Sequence, residues 1–256
     1  MTAYSLPKQV QQAVTLAKLL LEDAKILGIY LYGSATMATL RPDSDIDLLI
    51  ITEARMDDGT RTALTKGLRT LSGTVGCIEK RPLEVTVVCR GDIVPWQFPP
   101  RCEYMYGEWL REELDAGAIP QADPEPELAL LLWQARLHSL TLFGAACETV
   151  VPPLSFAQLK EAMAGLLPSL LAGYKGDERN VLLTLARMWF SLETAEMTTK
   201  DKAAAWAMPK LPPSLAPLLE TARAAYLGET KDRWDDKEDA VKTLMAVMKA
   251  QIEARL

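Results

Sequence analysis

A chain of 256 residues with one histidine, His138, leaves proton transfer to carboxylates before imidazole. Cysteine is sparse too. Cys77, Cys89, Cys102 and Cys147 stand at gaps that match no zinc spacing, so they read as small hydrophobes in a reducing compartment. No apolar run reaches the roughly 20 residues that a membrane helix needs. The opening MTAYSLPKQVQQAV lacks a basic head followed by an apolar block. Together these absences predict a cytoplasmic protein with no leader and no membrane partner. There is no internal repeat and no low-complexity tract. Nor is there an excess of positive charge: the net value of −6 argues against a nucleic-acid partner and favours a cationic small molecule through the long-range field. What remains is an ordinary globular balance, 49% hydrophobic and 24% charged, with room for one large domain or two modest ones.

Apolar residues at Val10, Val14, Ala17 and Leu20 or Leu21 predict a helix over 7–26, and Ala63, Leu64, Leu68 and Leu71 predict another. GIYLY (28–32), IDLLIIT (46–52) and LEVTVVC (83–89) have the β-rich composition and turn-bounded length of strands. The three prolines of VPWQFPP (94–100) exclude regular structure there. YGEWLREEL (106–114) and PELALLLWQARLHSLTLFG (126–144) are expected to be helical. VVPPLS (150–155) is the best boundary, and SFAQ (155–158) has the spacing of a capping box. Beyond it only helical patterns follow, over 155–172, 177–197, 200–208, 214–227 and 235–255. The expectation is an α+β domain at 1–152 and an all-helical domain at 153–256.

Chemistry concentrates in LYGSATMATLRPDSDIDLLI, residues 31–50. Asp45 and Asp47 project to one side of a strand, while Ile46, Leu48 and Ile50 take the other. Neighbouring carboxylates repel, and a divalent cation is the simplest relief; hard oxygen donors suit Mg²⁺, which shares its remaining positions with water and phosphates. A loop cap facing water is the competing reading for a bare Asp-Ser-Asp. The preceding turn weighs against it, because Gly33 permits close backbone approach and the Ser34 hydroxyl with nearby amides can hold phosphate oxygens. Glu84 shares a face with Thr86 and Val88. If its strand neighbours that of Asp45 and Asp47, Glu84 faces the same metal site and is the best general base available. Otherwise it is an edge or solvent position.

GSATMATLRPDSDIDLL followed by a strand carboxylate resembles the nucleotidyltransferase superfamily. RPLEVTVV, VPWQFPP, YGEWLRE, KGDERNVLLTLARMW, AAWAMPKLP and AYLG follow in the order found in aminoglycoside adenylyltransferases acting on streptomycin and spectinomycin, so the chain is similar to that family from residue 28 to about 234. The resemblance implies a polymerase-β-like nucleotidyltransferase domain with a mixed sheet, a helical-bundle domain, and an active site in the cleft between them. It implies ATP as co-substrate with two Mg²⁺ ions, Asp45, Asp47 and Glu84 at the metal site, and Glu84 as catalytic base. Gly33, Ser34, Ser44, Arg187, Lys200 and Tyr226 fall on positions that bind ATP. Without the resemblance Arg187 reads as half of an ion pair, Lys200 as solvated and Tyr226 as core.

For the antibiotic the matching positions are Trp109, Asp177 and Asn180. An indole face offers cation–π attraction to a basic amine, and a carboxylate offers a charge-assisted hydrogen bond. The competing readings are interior packing for Trp109 and helix capping for Asp177. Family members that also take streptomycin are similar to one another in carrying a tryptophan and an aspartate where this chain has Pro168 and Gly173. The resemblance is therefore to the branch restricted to the 9-hydroxyl of spectinomycin. Dual streptomycin 3''/spectinomycin 9 specificity is the alternative, with Tyr174 as a partial substitute. An adenylyltransferase of protein or tRNA and a degenerate nucleotide-binding regulator are further alternatives. The implied partners are ATP and a small-molecule antibiotic, and the protein is expected to act as a monomer.

Overall fold

A computed structural model describes residues 7–37, 44–74, 77 and 79–256. The chain divides into two compact units, the first ending at Leu154 and the second beginning at Ser155.

In chain order the first unit has α1 (Lys8–Leu20), β1 (Ile26–Tyr32), α2 (Ser34–Met37), β2 (Ile46–Thr52), α3 (Asp58–Leu71) and β3 (Leu83–Cys89). It continues with β4 (Arg101–Cys102), β5 (Tyr104–Tyr106), α4 (Arg111–Asp115), β6 (Asp123–Pro124), α5 (Leu128–Leu137), β7 (Leu140–Gly144) and α6 (Cys147–Val150). Five strands form one sheet in the order β5-β3-β2-β1-β7. The sheet is mixed: β2 and β3 run parallel, and the other pairings are antiparallel. Ile46, Leu48 and Ile50 of β2 pack with Val85 and Val87 of β3 beneath Val10, Val14, Leu64 and Leu68 of α1 and α3. Leu49, Ile51 and Val88 face the opposite way, against Leu128, Leu132 and Ala135 of α5 and Cys147 and Val150 of α6. Helices on both faces explain why β2 reads as an almost unbroken apolar run, with polar residues confined to its ends.

Two expected helices are corrected. The 126–144 segment is helix only to Leu137; Leu140–Gly144 is an edge strand antiparallel to β1, with Leu31 opposite Leu140 and Gly28 opposite Gly144. A continuous apolar run does not distinguish helix from strand, and here the open edge of β1 takes the second half. In the 106–114 segment Tyr106 ends β5, opposite Val85; a 3₁₀ turn covers Glu108–Leu110, and α-helix begins only at Arg111. β1 also starts two residues before the expected strand, at Ile26. VPWQFPP contains neither helix nor strand.

The second unit contains α7 (Phe156–Ala172), α8 (Glu178–Thr194), α9 (Lys200–Ala207), α10 (Ala216–Tyr226) and α11 (Glu238–Glu253), with no strand among its residues. The α7 capping box forms as its spacing predicts: Ser155 N–H donates to Gln158 Oε1 at 2.7 Å, and Gln158 N–H donates to Ser155 Oγ at 3.3 Å. Packed against α7, α9, α10 and α11, the central α8 buries Val181, Leu182, Leu185, Ala186 and Trp189. Apolar residues around much of its circumference are what a central helix requires.

Candidate active site

The register of three central strands builds the acidic centre. Tyr32 at the end of β1 lies opposite Asp47 near the start of β2, and Asp47 lies opposite Glu84 near the start of β3. Side chains in register on adjacent strands share a face, so these three form a row on the α5 side of the sheet. Tyr32 is buried, and its hydroxyl donates to Glu84 Oε1 at 3.2 Å. Burial, and then the charges of Glu84 and Asp47, push the phenol well above its ordinary range, which keeps it a donor. Asp45 sits one residue before β2 begins and, like Asp47 and Glu84, is partly exposed.

Gly33 follows Tyr32 with φ +72, and a Cβ there would collide with the Asp47 carboxylate. Only glycine allows both that backbone and that approach. Ser34 opens α2, where the Thr36 hydroxyl donates to the Gly33 carbonyl at 3.1 Å and to the His138 carbonyl at 2.6 Å. The exposed side chain of His138 is at the end of α5; only its backbone takes part here. Ahead of Asp45 the Ser44 carbonyl accepts from Arg81 Nη1 at 2.9 Å. Arg81 is held in turn by Gln9, whose Oε1 accepts from Arg81 N–H at 3.1 Å and whose Nε2 donates to the Arg81 carbonyl at 2.6 Å. Ile46 N–H donates to the Pro82 carbonyl at 2.9 Å. This clamp fixes how β3 enters the sheet beside β2, and so which residue stands opposite Asp47.

The donor set of Asp45, Asp47 and Glu84 is all hard oxygen, suited to Mg²⁺ rather than to a softer metal. Among the described residues no group of three or more His, Cys, Asp or Glu side chains is placed to hold a metal ion.

Trp109 is 57% exposed, so it is not interior packing. Its turn is held by Glu108, which accepts from Arg111 Nε at 3.0 Å, from Arg111 Nη2 at 2.7 Å, from Tyr106 Oη at 2.9 Å, and from Ser72. Burial opposes the Glu108 charge, but these donors hold its carboxyl below the ordinary range. Gly107 leaves room for the indole, since a Cβ there would strike the ring.

In the helical unit Asp177 occupies the N-cap position of α8 without making a side-chain capping bond. Its Oδ2 instead accepts from Asn180 Nδ2 at 3.0 Å, and Asn180 Oδ1 accepts from Lys200 Nζ at the start of α9. Thus Asp177, Asn180 and Lys200 form one hydrogen-bonded chain. Arg187 is half-buried on α8, and Tyr226 is the half-buried last residue of α10. Pro168 lies within α7, and Gly173 is its C-cap. The Tyr174 hydroxyl donates to Glu238 Oε1 at 3.1 Å.

Sequence reasoning missed Tyr32, Arg81 and Gln9. Tyr32 had a local signal, since it directly precedes Gly33-Ser34 and ends a strand. Gln9 had none, because its partners lie 62 and 72 residues away.

Residues 15–81 match the family described as Polymerase beta, Nucleotidyltransferase, and residues 149–251 match Aminoglycoside adenylyltransferase, C-terminal domain. The chain is 55% identical to a spectinomycin 9-adenylyltransferase of Campylobacter jejuni over 98% of its own length and 96% of the relative's. It is 40% identical to an aminoglycoside (3'') (9) adenylyltransferase of Escherichia coli, covering 90% of this chain and 89% of that one. The crystal structure of a spectinomycin adenyltransferase from Enterococcus faecialis with ATP and spectinomycin superposes with a TM-score of 0.91 at 27% identity, covering 96% of this chain and 98% of that one.

Proposed function

The chain belongs to the aminoglycoside adenylyltransferases, and on that footing we propose that it transfers AMP from ATP to the 9-hydroxyl of spectinomycin, releasing pyrophosphate and conferring resistance. The observation that carries this reading is Glu84 standing opposite Asp47 on parallel neighbouring strands, beside the Gly33-Ser34 turn. Glu84 accepts the proton of the drug hydroxyl as its oxygen attacks the α-phosphorus and the bond to pyrophosphate breaks. Asp45 and Asp47, with Glu84 beside them, would hold Mg²⁺. When bound, the two ions neutralise phosphate charge and favour in-line geometry. Gly33, Ser34 and Ser44 line the phosphates, and the helical unit adds Arg187, Lys200 and Tyr226 for the nucleotide. Trp109 offers its exposed indole to a drug amine, and Asp177, which makes no capping bond, offers a carboxylate held by Asn180.

Restriction to spectinomycin is supported by Pro168 and Gly173, neither of which can stack on a larger ligand or take an ammonium proton. The Tyr174 hydroxyl is already engaged by Glu238, which leaves that residue a weaker substitute. The enzyme works as a cytoplasmic monomer with two small-molecule partners.

Mass spectrometry of spectinomycin after incubation with Mg·ATP and the protein is expected to find one added AMP, located at the 9-oxygen. Streptomycin treated in parallel remains unmodified, and efficient transfer to it refutes the narrow specificity. Glu84→Gln is expected to retain ATP and drug binding and to lower turnover by roughly 10²–10⁴-fold; undiminished turnover removes Glu84 from the role of base.

A further inference from the structure

We infer that Tyr32 is a positioning residue for the reaction: its phenol holds Glu84 Oε1, so that the second carboxylate oxygen meets the attacking hydroxyl. The inference deepens the reading above and rests on Glu84 as the base.

Geometry carries it. A glutamate at the start of a strand turns about three side-chain torsions, and proton abstraction needs one oxygen held at hydrogen-bond reach of its target. Tyr32 is only 4% exposed, and its ring packs with Leu49 and Val88 under α5. The hydroxyl at the end of that fixed ring donates to Glu84 Oε1 at 3.2 Å, two strands away across β2. A rigid aromatic arm thereby restrains a flexible carboxylate. Tyr32 also stands opposite Asp47, the intervening residue of the row, so one side chain spans both acids. The Thr86 hydroxyl, on the same face of β3, makes no hydrogen bond to the phenol. That leaves Glu84 as the phenol's partner.

Tyr30 supplies the internal comparison. It lies on the same strand and face, is also buried, and gives its hydroxyl to the Ala145 carbonyl at 2.9 Å. Two tyrosines two residues apart therefore do different work: one ties down backbone, the other aims an acid.

The test is a set of steady-state measurements with spectinomycin and Mg·ATP on Y32F, E84Q, the double variant, and Y30F as control. Y32F removes one oxygen and keeps the ring. It is expected to lower kcat by roughly 10- to 100-fold, the range a misplaced catalytic group costs, with both KM values unchanged. Thermal unfolding and calorimetric Mg·ATP binding verify that Y32F is folded. In the E84Q background the same change is expected to alter kcat by less than about twofold, because a residue acting through Glu84 has nothing left to aim. Y30F is expected to melt earlier and keep its kcat. Equal losses of kcat from Y32F in both backgrounds, a change confined to KM, or an unaltered kcat overturns the role of Tyr32 while leaving Glu84 in place. Full turnover in E84Q alone overturns the base assignment, and this inference with it.

Discussion

At position 33 a hydrogen atom does what no side chain can. The backbone is left-handed, at φ +72, and the space a Cβ would fill belongs to the Asp47 carboxylate. Gly33→Ala therefore strains the turn and pushes aside a proposed metal ligand in one step. The expected result is a fall in kcat/KM of roughly 10²-fold or more, with a stability loss of only about 1–2 kcal/mol from the backbone. Kinetics and thermal unfolding of the same preparation separate the two effects. Individual residues were unequally legible. The Asp-x-Asp pair and Glu84 could be read because strand alternation and composition fix their faces. Tyr32 could not be assigned a partner without knowing that β1 pairs with β2 and β2 with β3. For Trp109 the exposed ring rules out the competing reading of interior packing, and nothing local in the sequence reveals a large aromatic left in solvent.

Among the elements, β5 and α3 are joined by a buried charge pair that the sequence conceals. Glu103 lies just before β5 and is fully buried; Arg61 of α3 donates to both its carboxylate and its carbonyl, and Met56 N–H donates to Oε1 at 3.1 Å. Arg55 Nη1 also donates to Glu103 Oε2 at 3.1 Å, so Arg61→Met leaves the buried carboxylate with one half-exposed cation and is expected to cost about 3 kcal/mol, the lower end of a broken buried pair; specific activity of the folded fraction is retained, as chemical denaturation and assays will show. The 3₁₀ turn that carries Trp109 is held by a second charged hub. Because its partners keep Glu108 below the ordinary carboxyl value of 4.5, that contribution to stability is complete above 4.5 and is lost as pH falls through the lower folded value. Wild type should lose stability on this acid limb, and E108Q should be less stable at neutral pH with a flatter limb in melts recorded across the same range. The same region shows why element type was partly hidden. In LALLLWQARLHSLTLFG the apolar run crosses from α5 into β7 without a change of period that the eye can find, and the pairing that decides it lies more than a hundred residues upstream. The helices of the second unit kept their expected order and type because each carries its own period and its own stop signals.

For the molecule as a whole, the α+β organisation followed by helices was legible from the distribution of strand-like and helix-like segments along the chain. Sheet order was not, since strand pairing is a long-range choice. The all-oxygen donor set has a consequence for the intact protein. Mg²⁺ alone, lacking a ready-made protein cage among the described residues, is expected to leave the melting temperature almost unchanged. Mg·ATP at a hundred times its Kd should add about 2.7 kcal/mol, and Asp47→Asn should erase the magnesium dependence of that gain. A large shift with Mg²⁺ alone would refute coordination shared with the nucleotide.

Gln9 touches neither drug nor nucleotide in the proposed chemistry. Its carboxamide nevertheless grips the backbone at Arg81 from both sides, and Arg81 reaches the carbonyl just ahead of Asp45. A slip of one residue at the entry to β3 would turn Glu84 toward the oily underside and present its apolar neighbour instead. On the proposed reading, turnover thus depends on an amide in the first helix, and Gln9→Ala is expected to lower kcat with every proposed reacting group still in place.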